Sequence, residues 1–160
     1  MQIRAATPAD ADAVWAIMAP IIAAGETYAL PRDMSRDDAL AFWGGPGNSV
    51  YVAVEGAEVL GTYMLHANQA GGGAHVSNCG FMTAPSAAGR GVARAMCAHA
   101  LDEARRLGFR AMQFNFVVST NTRAVALWRG MGFDIVGTLP RAFLHPTEGE
   151  VDVYVMFRRL

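Results

Sequence analysis

The stretch Asn78 to Leu107, NCGFMTAPSAAGRGVARAMCAHALDEARRL, constrains this chain more than any other. An apolar run ends near Thr83, a loop of small residues spans Ala84 to Arg90, and a helix begins behind it. Gly89 and Gly91 sit at the loop-to-helix junction. The first N–H groups of a helix lack partners inside the helix and carry partial positive charge, so they attract phosphate. Glycine removes side chains that would keep such a group at a distance. The stretch therefore reads as a cradle for the pyrophosphate of a cofactor, between a strand and a helix of one α/β unit.

The rest of the chain supplies the other layers. Met1 to Ala6 reads as a short strand. Thr7 is a candidate cap for a helix that carries Val14, Ile17, Met18, Ile21 and Ile22 at helical spacing and ends near Gly25. Glu26 to Met34 is loop-like, and Ser35 caps a second helix, Arg36 to Trp43. After the breaker run Gly44 to Asn48, Ser49–Val54 and Val59–His66 read as a strand pair, and His75–Thr83 as the next strand. The helix behind the glycine loop has Val92, Met96, Ala100 and Leu107 on its apolar face. Leu107-Gly108-Phe109 and Met131-Gly132-Phe133 repeat one device, a helix ended by a left-handed glycine with an aromatic residue leading out. Between them lie the strand Ala111–Val118 and a helix from Thr122 to Met131. Phe133–Leu139 is a strand, Pro140–Glu150 a loop, and Val151–Arg158 a closing strand.

These elements fit a single domain of 160 residues with a mixed sheet and helices on its faces. With net charge −1 and a sequence pI near 6.4, the chain lacks the dense basic footprint of a general nucleic-acid binder. No apolar run reaches the roughly 18 residues of a membrane span. The polar start and the two cysteines, Cys79 and Cys97, point to a cytoplasmic protein with reduced thiols. A dinucleotide fold would want glycine at position 94, which is Arg94. A P-loop needs Gly-Lys-Ser/Thr, and the chain contains no lysine. No metal-type spacing appears, and His66, His75, His99 and His145 are scattered.

The order strand, glycine loop, helix, strand, Asn-headed helix and Gly-Phe strand resembles the GNAT superfamily of N-acetyltransferases. The loop motif of that family, Arg/Gln-x-x-Gly-x-Gly/Ala, aligns as Ala88-Gly89-Arg90-Gly91-Val92-Ala93, with both small positions matched and Ala88 in place of Arg or Gln. Its second block aligns as Asn121 through Leu127-Trp128 to Gly132-Phe133, with Trp128 where many members have Tyr. The segments His75–Phe81 and Phe114–Asn121 look like those of the yeast branch that detoxifies proline analogues. The resemblance implies a mostly antiparallel sheet of six to seven strands with about four helices, and acetyl-CoA as co-substrate. It also implies direct attack of a small-molecule amine, an amino acid or its analogue, on the thioester. Homodimerisation is a further implication.

Carried over by position, the main chain of Phe81, Met82 and Thr83 pairs with the pantetheine arm, and an amide there faces the thioester oxygen. Ala88, Gly89, Arg90, Gly91, Val92, Ala93 and Arg94 form the phosphate loop. Asn121 contacts the arm near the thioester, and Asn78, Asn115 and Asn121 lie in the active site. Trp128 packs against the cofactor, since indole N–H donates a hydrogen bond but does not titrate near neutral pH.

Plainer alternatives stand beside each assignment. Gly89 and Gly91 also suit a tight turn, Asn78 and Asn115 a bulge or strand edge, and Asn121 a helix cap. His75 is a candidate base or a satisfied structural histidine, and Glu26 a pocket residue or surface. Cys79 reads as a small core residue. Arg90 and Arg94 are either solvated or meet CoA phosphates. At the level of the whole chain, the alternative to an enzyme is a GNAT-fold module that binds acyl-CoA or a regulatory ligand without turnover.

Overall fold

The computed structural model describes residues 1–160. Strands β1 (Gln2–Ala5), β2 (Ser49–Glu55), β3 (Glu58–Ala67), β4 (Val76–Thr83), β5 (Ala111–Val118), β6 (Asp134–His145) and β7 (Gly149–Arg159) form one sheet in the order β1-β2-β3-β4-β5-β7-β6. Helices α1 (Ala11–Ala24), α2 (Arg36–Trp43), α3 (Val92–Arg106) and α4 (Thr122–Gly130) flank it. The mixed, mostly antiparallel sheet with four helices matches the fold read from the sequence. All neighbouring strands are antiparallel except β4 and β5.

Local sequence explains most boundaries. A short 3-10 turn, Pro8–Asp10, leads into α1. Thr7 is the N-cap residue of this turn, and the Asp10 carboxylate accepts from its amide at 2.7 Å and from the Arg4 guanidinium at 2.8 Å, which anchors the corner. The Arg4 contact, followed by the Thr7 amide, pulls the Asp10 carboxyl well below the usual carboxylate range. Ser35 Oγ accepts from the Asp38 amide at 3.1 Å and caps α2. Both glycine devices close in the same way. Phe109 N donates to Ala104 O and Gly108 N to Arg105 O, each at 3.0 Å; Phe133 N reaches Trp128 O at 3.1 Å and Gly132 N reaches Arg129 O at 3.0 Å. Gly108 and Gly132 have φ of 88° and 87°, a region that side-chain-bearing residues enter at a cost.

Two expectations need correction. Pro140–Glu150 is not a loop: β6 runs through Pro140 to His145 and turns directly into β7. Pro140 is tolerated because β6 is the sheet edge, where no strand needs its missing N–H. The register shifts between Leu139 and Phe143, and Arg141, at φ 54°, sits in that irregularity. Leu107 is the second correction. It ends α3 at the surface, 44% exposed, while Val92, Met96 and Ala100 are buried as expected.

The core lies between α3, α4 and one face of the sheet and continues under α1 and α2 on the other. α3 presses so close to β3 that a Cβ on Gly61 would stand 2.8 Å from Met96 Cε. Next to this contact, stacked Tyr51 and Tyr63 rings, 4.7 Å apart, carry a polar edge of the core. The Tyr51 hydroxyl donates to Glu103 at 2.6 Å, and Tyr63 meets His99 Nδ1 at 2.7 Å. The Arg106 guanidinium and then the Tyr51 hydroxyl hold the Glu103 carboxyl at about 2, below its ordinary 4.5. The fold thus favours charged Glu103. Its contribution is complete above about 4.5 and drains away as pH falls through about 2. Glu103→Gln should flatten the acid limb of stability across that window. Urea melts at stepped pH would refute the assignment if the limb kept its slope.

Candidate active site

Strands β4 and β5 pair at only two positions, Val76 with Ala111 and Ser77 with Met112, and then part. The peptide groups of β4 show what the parting exposes. His75 O accepts from Arg110 N on the β5 side, whereas Val76 O accepts from Asn68 N and Ala84 N donates to Leu60 O on the β3 side. The β3–β4 register is unbroken from Ser77 to Thr83. Odd-numbered residues of β4 therefore turn their main-chain groups toward β5, and even-numbered residues toward β3. Beyond Ser77 no strand meets the odd set. Phe81 and Thr83 present main-chain groups to the gap, while the Met82 peptide, between them, belongs to the β3 ladder.

The gap opens into a cavity of about 860 Å³. At one end lies the glycine loop. Gly89 and Gly91 both have φ of 77°, and a Cβ on either would meet no atom within 4 Å. The amides of Gly89, Gly91, Val92, Ala93 and Arg94 make no main-chain hydrogen bond, whereas Ala88 N is taken by Pro85 O and Arg90 N by Ala87 O. Five free donors thus face outward from a left-handed turn and the first turn of α3. Ala88, Gly89, Gly91, Val92, Ala93 and Arg94 all line the cavity. Arg90 does not: its guanidinium pairs with Glu55 on the β2–β3 hairpin. The Arg94 side chain reaches Met131 Sδ at 3.4 Å, near the end of α4.

The wall opposite β4 comes from β5 and α4. The β5–β7 register shifts between Phe114 and Val117, so Asn115 lies in a bulge that aims it out of the ladder. Its amide donates to Asn68 Oδ1 at 2.7 Å and accepts from Gln113 Nε2 at 2.8 Å. Asn78 is in regular register with His66, at the point where β5 leaves, and its Oδ1 takes the Cys79 amide at 2.7 Å. Asn121 caps α4 through Oδ1 to Ala124 N at 3.4 Å and also lines the cavity. Trp128 sits between Phe81 and Phe114, with ring centroids 5.0 and 5.2 Å away.

At the far end Ile21 of α1 and, from the segment after it, Thr27, Tyr28 and Leu30 close the cavity. Tyr28, overlooked in the sequence, donates its hydroxyl to Phe81 O at 2.9 Å and so ties this segment to the open edge of β4. Burial raises its pKa, which keeps it a neutral phenol. Its one signal in the sequence was an aromatic residue inside a polar loop. Asn68, the partner of Asn115, gave no signal. No Asp, Glu or His lines the cavity; His75 and Glu26 are both exposed and outside it. Cys79 is buried, and desolvation pushes its thiol pKa well up.

The site is thus a split between two parallel strands, opposite a glycine loop on a helix N-terminus. The profile of the Acetyltransferase (GNAT) family matches residues 15–133. The chain belongs to the GNAT acetyltransferase family. It is 29% identical to N-acetyltransferase aca1 of Schizosaccharomyces pombe, over 82% of this chain and 71% of that protein. A GCN5-related N-acetyltransferase from Kribbella flavida shares 46% identity and superposes with a TM-score of 0.94, covering 99% of this chain and 97% of that one. The putative acetyltransferase yncA of Salmonella typhimurium, solved with acetyl-CoA, has the same fold at 24% identity and a TM-score of 0.88, covering 100% of this chain and 94% of that one.

Tyr28→Phe removes the only side-chain hydrogen bond recorded for Phe81 O and should cost about 1 kcal/mol. Urea denaturation checks this, and unchanged stability would show that the tie carries no load.

Proposed function

We propose that this GNAT protein is an N-acetyltransferase that moves acetyl from acetyl-CoA to the amine of a small molecule, an amino acid or a close analogue. The observation that carries the reading is the unpaired edge of β4 running into five free amides. An extended amide chain such as pantetheine adds to an open strand edge by main-chain hydrogen bonds. Phe81 and Thr83 supply them, and the Gly89–Arg94 amides take the pyrophosphate at the N-terminus of α3. The amide of Phe81 is the donor for the developing oxyanion. Acetyl-CoA supplies an activated acyl group; Asn121 and Trp128 flank the arm that delivers it.

The acceptor half of the cavity is apolar and amide-lined, with Phe42, Phe116, Asn78 and Asn115 on its walls. Amides orient an amine and a carboxylate by hydrogen bonds without bringing a charge into a half-buried site. The Asn68–Asn115–Gln113 chain holds Asn115 in one orientation for that task. No lining carboxylate or imidazole is present to remove a proton, so the amine enters as its free base after losing its proton to water.

Isothermal calorimetry with acetyl-CoA tests the first half, and release of free thiol across a panel of amino acids and analogues tests the second. Binding without thiol release would favour the regulatory module. Gly91→Glu places a bulky anion in the phosphate cradle and should weaken CoA binding at least about tenfold, or about 1.4 kcal/mol, with the circular dichroism spectrum intact. Unchanged affinity would remove the loop from the assignment. With no base on the protein, kcat/KM should rise tenfold per pH unit up to the pKa of the acceptor amine itself. The limb should move when acceptors of different pKa are compared; a limb fixed at one pH would identify a base on the protein.

A further inference from the structure

Strand β4 divides the cavity into two halves of different chemistry. A Cβ on Gly80 would stand 3.3 Å from Trp43 Cη2, 3.3 Å from Tyr28 Oη and 3.4 Å from Met64 Cε. The neighbouring Phe81 ring meets Trp128 of α4 at 5.0 Å and, at 5.6 Å, Tyr63, whose hydroxyl reaches His99 of α3. Side chains alternate along a strand, so Asn78, Gly80 and Met82 face α1 and α2, while Cys79, Phe81 and Thr83 face α3 and α4. The two charged residues on the cavity wall, Arg94 and Arg123, belong to α3 and α4. On the opposite face the wall is Ile21, Leu30, Phe42 and Met64, with Thr27 and the neutral phenol of Tyr28 as its hydroxyls. That half carries no charge. Of the exposed large apolar side chains, the aromatic ones are Phe42 and Phe116, at 41% and 38%, and both line the cavity. Phe42 comes from the last turn of α2 and Phe116 from the bulge of β5. An apolar ring left facing water gains when another apolar group covers it.

We propose that the acceptor is an amino acid with an uncharged, apolar side chain, and that the α1–α2 half of the cavity, from buried Met64 out to exposed Phe42, selects it. This deepens the acetyltransferase reading above and rests on it. The amides of Asn78 and Asn115 serve the polar end that every amino acid shares, so they do not tell one side chain from another. The apolar half does. A side-chain carboxylate or ammonium entering it loses its water and finds hydrocarbon and two hydroxyls, one of which already donates to Phe81 O. Burying a charge without a partner is costly. A chain of methylenes gives up little and covers Met64 and Phe42 instead. Phe42, the one exposed large residue of this wall, meets the longer side chains and is a specificity-determining residue, apart from the reacting carbonyl.

The test is kcat/KM for thiol release from acetyl-CoA with alanine, 2-aminobutyrate, norvaline and norleucine, whose amines are nearly equal in basicity. Each added methylene should raise kcat/KM by roughly fourfold, the ratio expected for its burial. Glutamate should fall at least about tenfold below norleucine, because its second carboxylate enters the uncharged half. Phe42→Ala removes the outer ring from a partly exposed helix position. It should cut the ratio of norleucine to alanine at least about fivefold, while calorimetry finds the affinity for acetyl-CoA within about twofold of wild type. A flat or falling series, glutamate as good as norleucine, or a ratio unmoved by Phe42→Ala would each overturn the proposal while thiol release keeps the acetyltransferase reading standing. Acetyl-CoA binding with no thiol release for any of these amino acids would overturn the proposal together with the amino-acid acceptor. Loss of acetyl-CoA binding itself would sink the underlying reading. If the variant does not fold, the wild-type series decides.

Discussion

Everything about this site follows from the failure of β4 and β5 to stay together. A parallel pair that zipped along its full length would bury the odd-numbered main-chain groups of β4 and leave no cavity. Three features keep it open. The bulge at Asn115 and Phe116 bends β5 away. The Asn78 side chain takes the Cys79 amide where the β5 ladder ceases to serve it. The Phe81, Trp128 and Phe114 rings fill the wedge between the diverging strands. Each exposed main-chain group lost a ladder partner, and an unpaired buried amide is expensive. The split edge is therefore a surface that gains by being paired.

The strands on both sides are tied down, which lets the gap persist. β4 is fully paired to β3, and β3 is held from behind by α3 at Gly61 and by the Tyr51–Tyr63 stack. β5 is paired to β7, and β7 to β6. The end of α4 is braced by Arg158, whose guanidinium meets Met131 O. From the far end of the cavity, Tyr28 links the segment after α1 to Phe81. The stretch Cys79 to Met82 is thus a wall shared by the glycine-loop end of the cavity and the end closed by the segment after α1.

What the sequence made legible was local. Caps at Ser35 and Asn121, left-handed glycines at 108 and 132, and the glycine loop at 89 and 91 depend on neighbours within a few positions, and each stands as its residues imply. Tyr28 and Asn68 act across 53 and 47 positions of chain, so no spacing could disclose them. Gly61 looked like an ordinary strand residue because its reason for being glycine is a helix that arrives much later in the chain. Pro140 misled in the opposite direction. Proline reads as a break, but on an edge strand its missing N–H costs nothing, and only the strand order reveals which strand is the edge. The division inside the glycine loop was equally hidden: neighbouring residues differ in whether their amides are free, and Arg90 turns away to Glu55 because the β2–β3 hairpin lies within reach.

The charge distribution decides how such a site works. The helices α3 and α4 both begin at the cavity, so two sets of free amides and two positive dipole ends converge on it. Arg94 and Arg123 lie on its walls and no carboxylate does. A field of this sign favours pyrophosphate, a developing oxyanion and a thiolate, and it disfavours an ammonium ion. An amine placed in such a field is biased toward its free base, the nucleophilic form. The five free amides do not depend on the side chain at Ala88, where the family pattern has Arg or Gln. On the proposed reading, a wall of fixed donors with two arginines and no carboxylate suits acyl transfer with water carrying the protons.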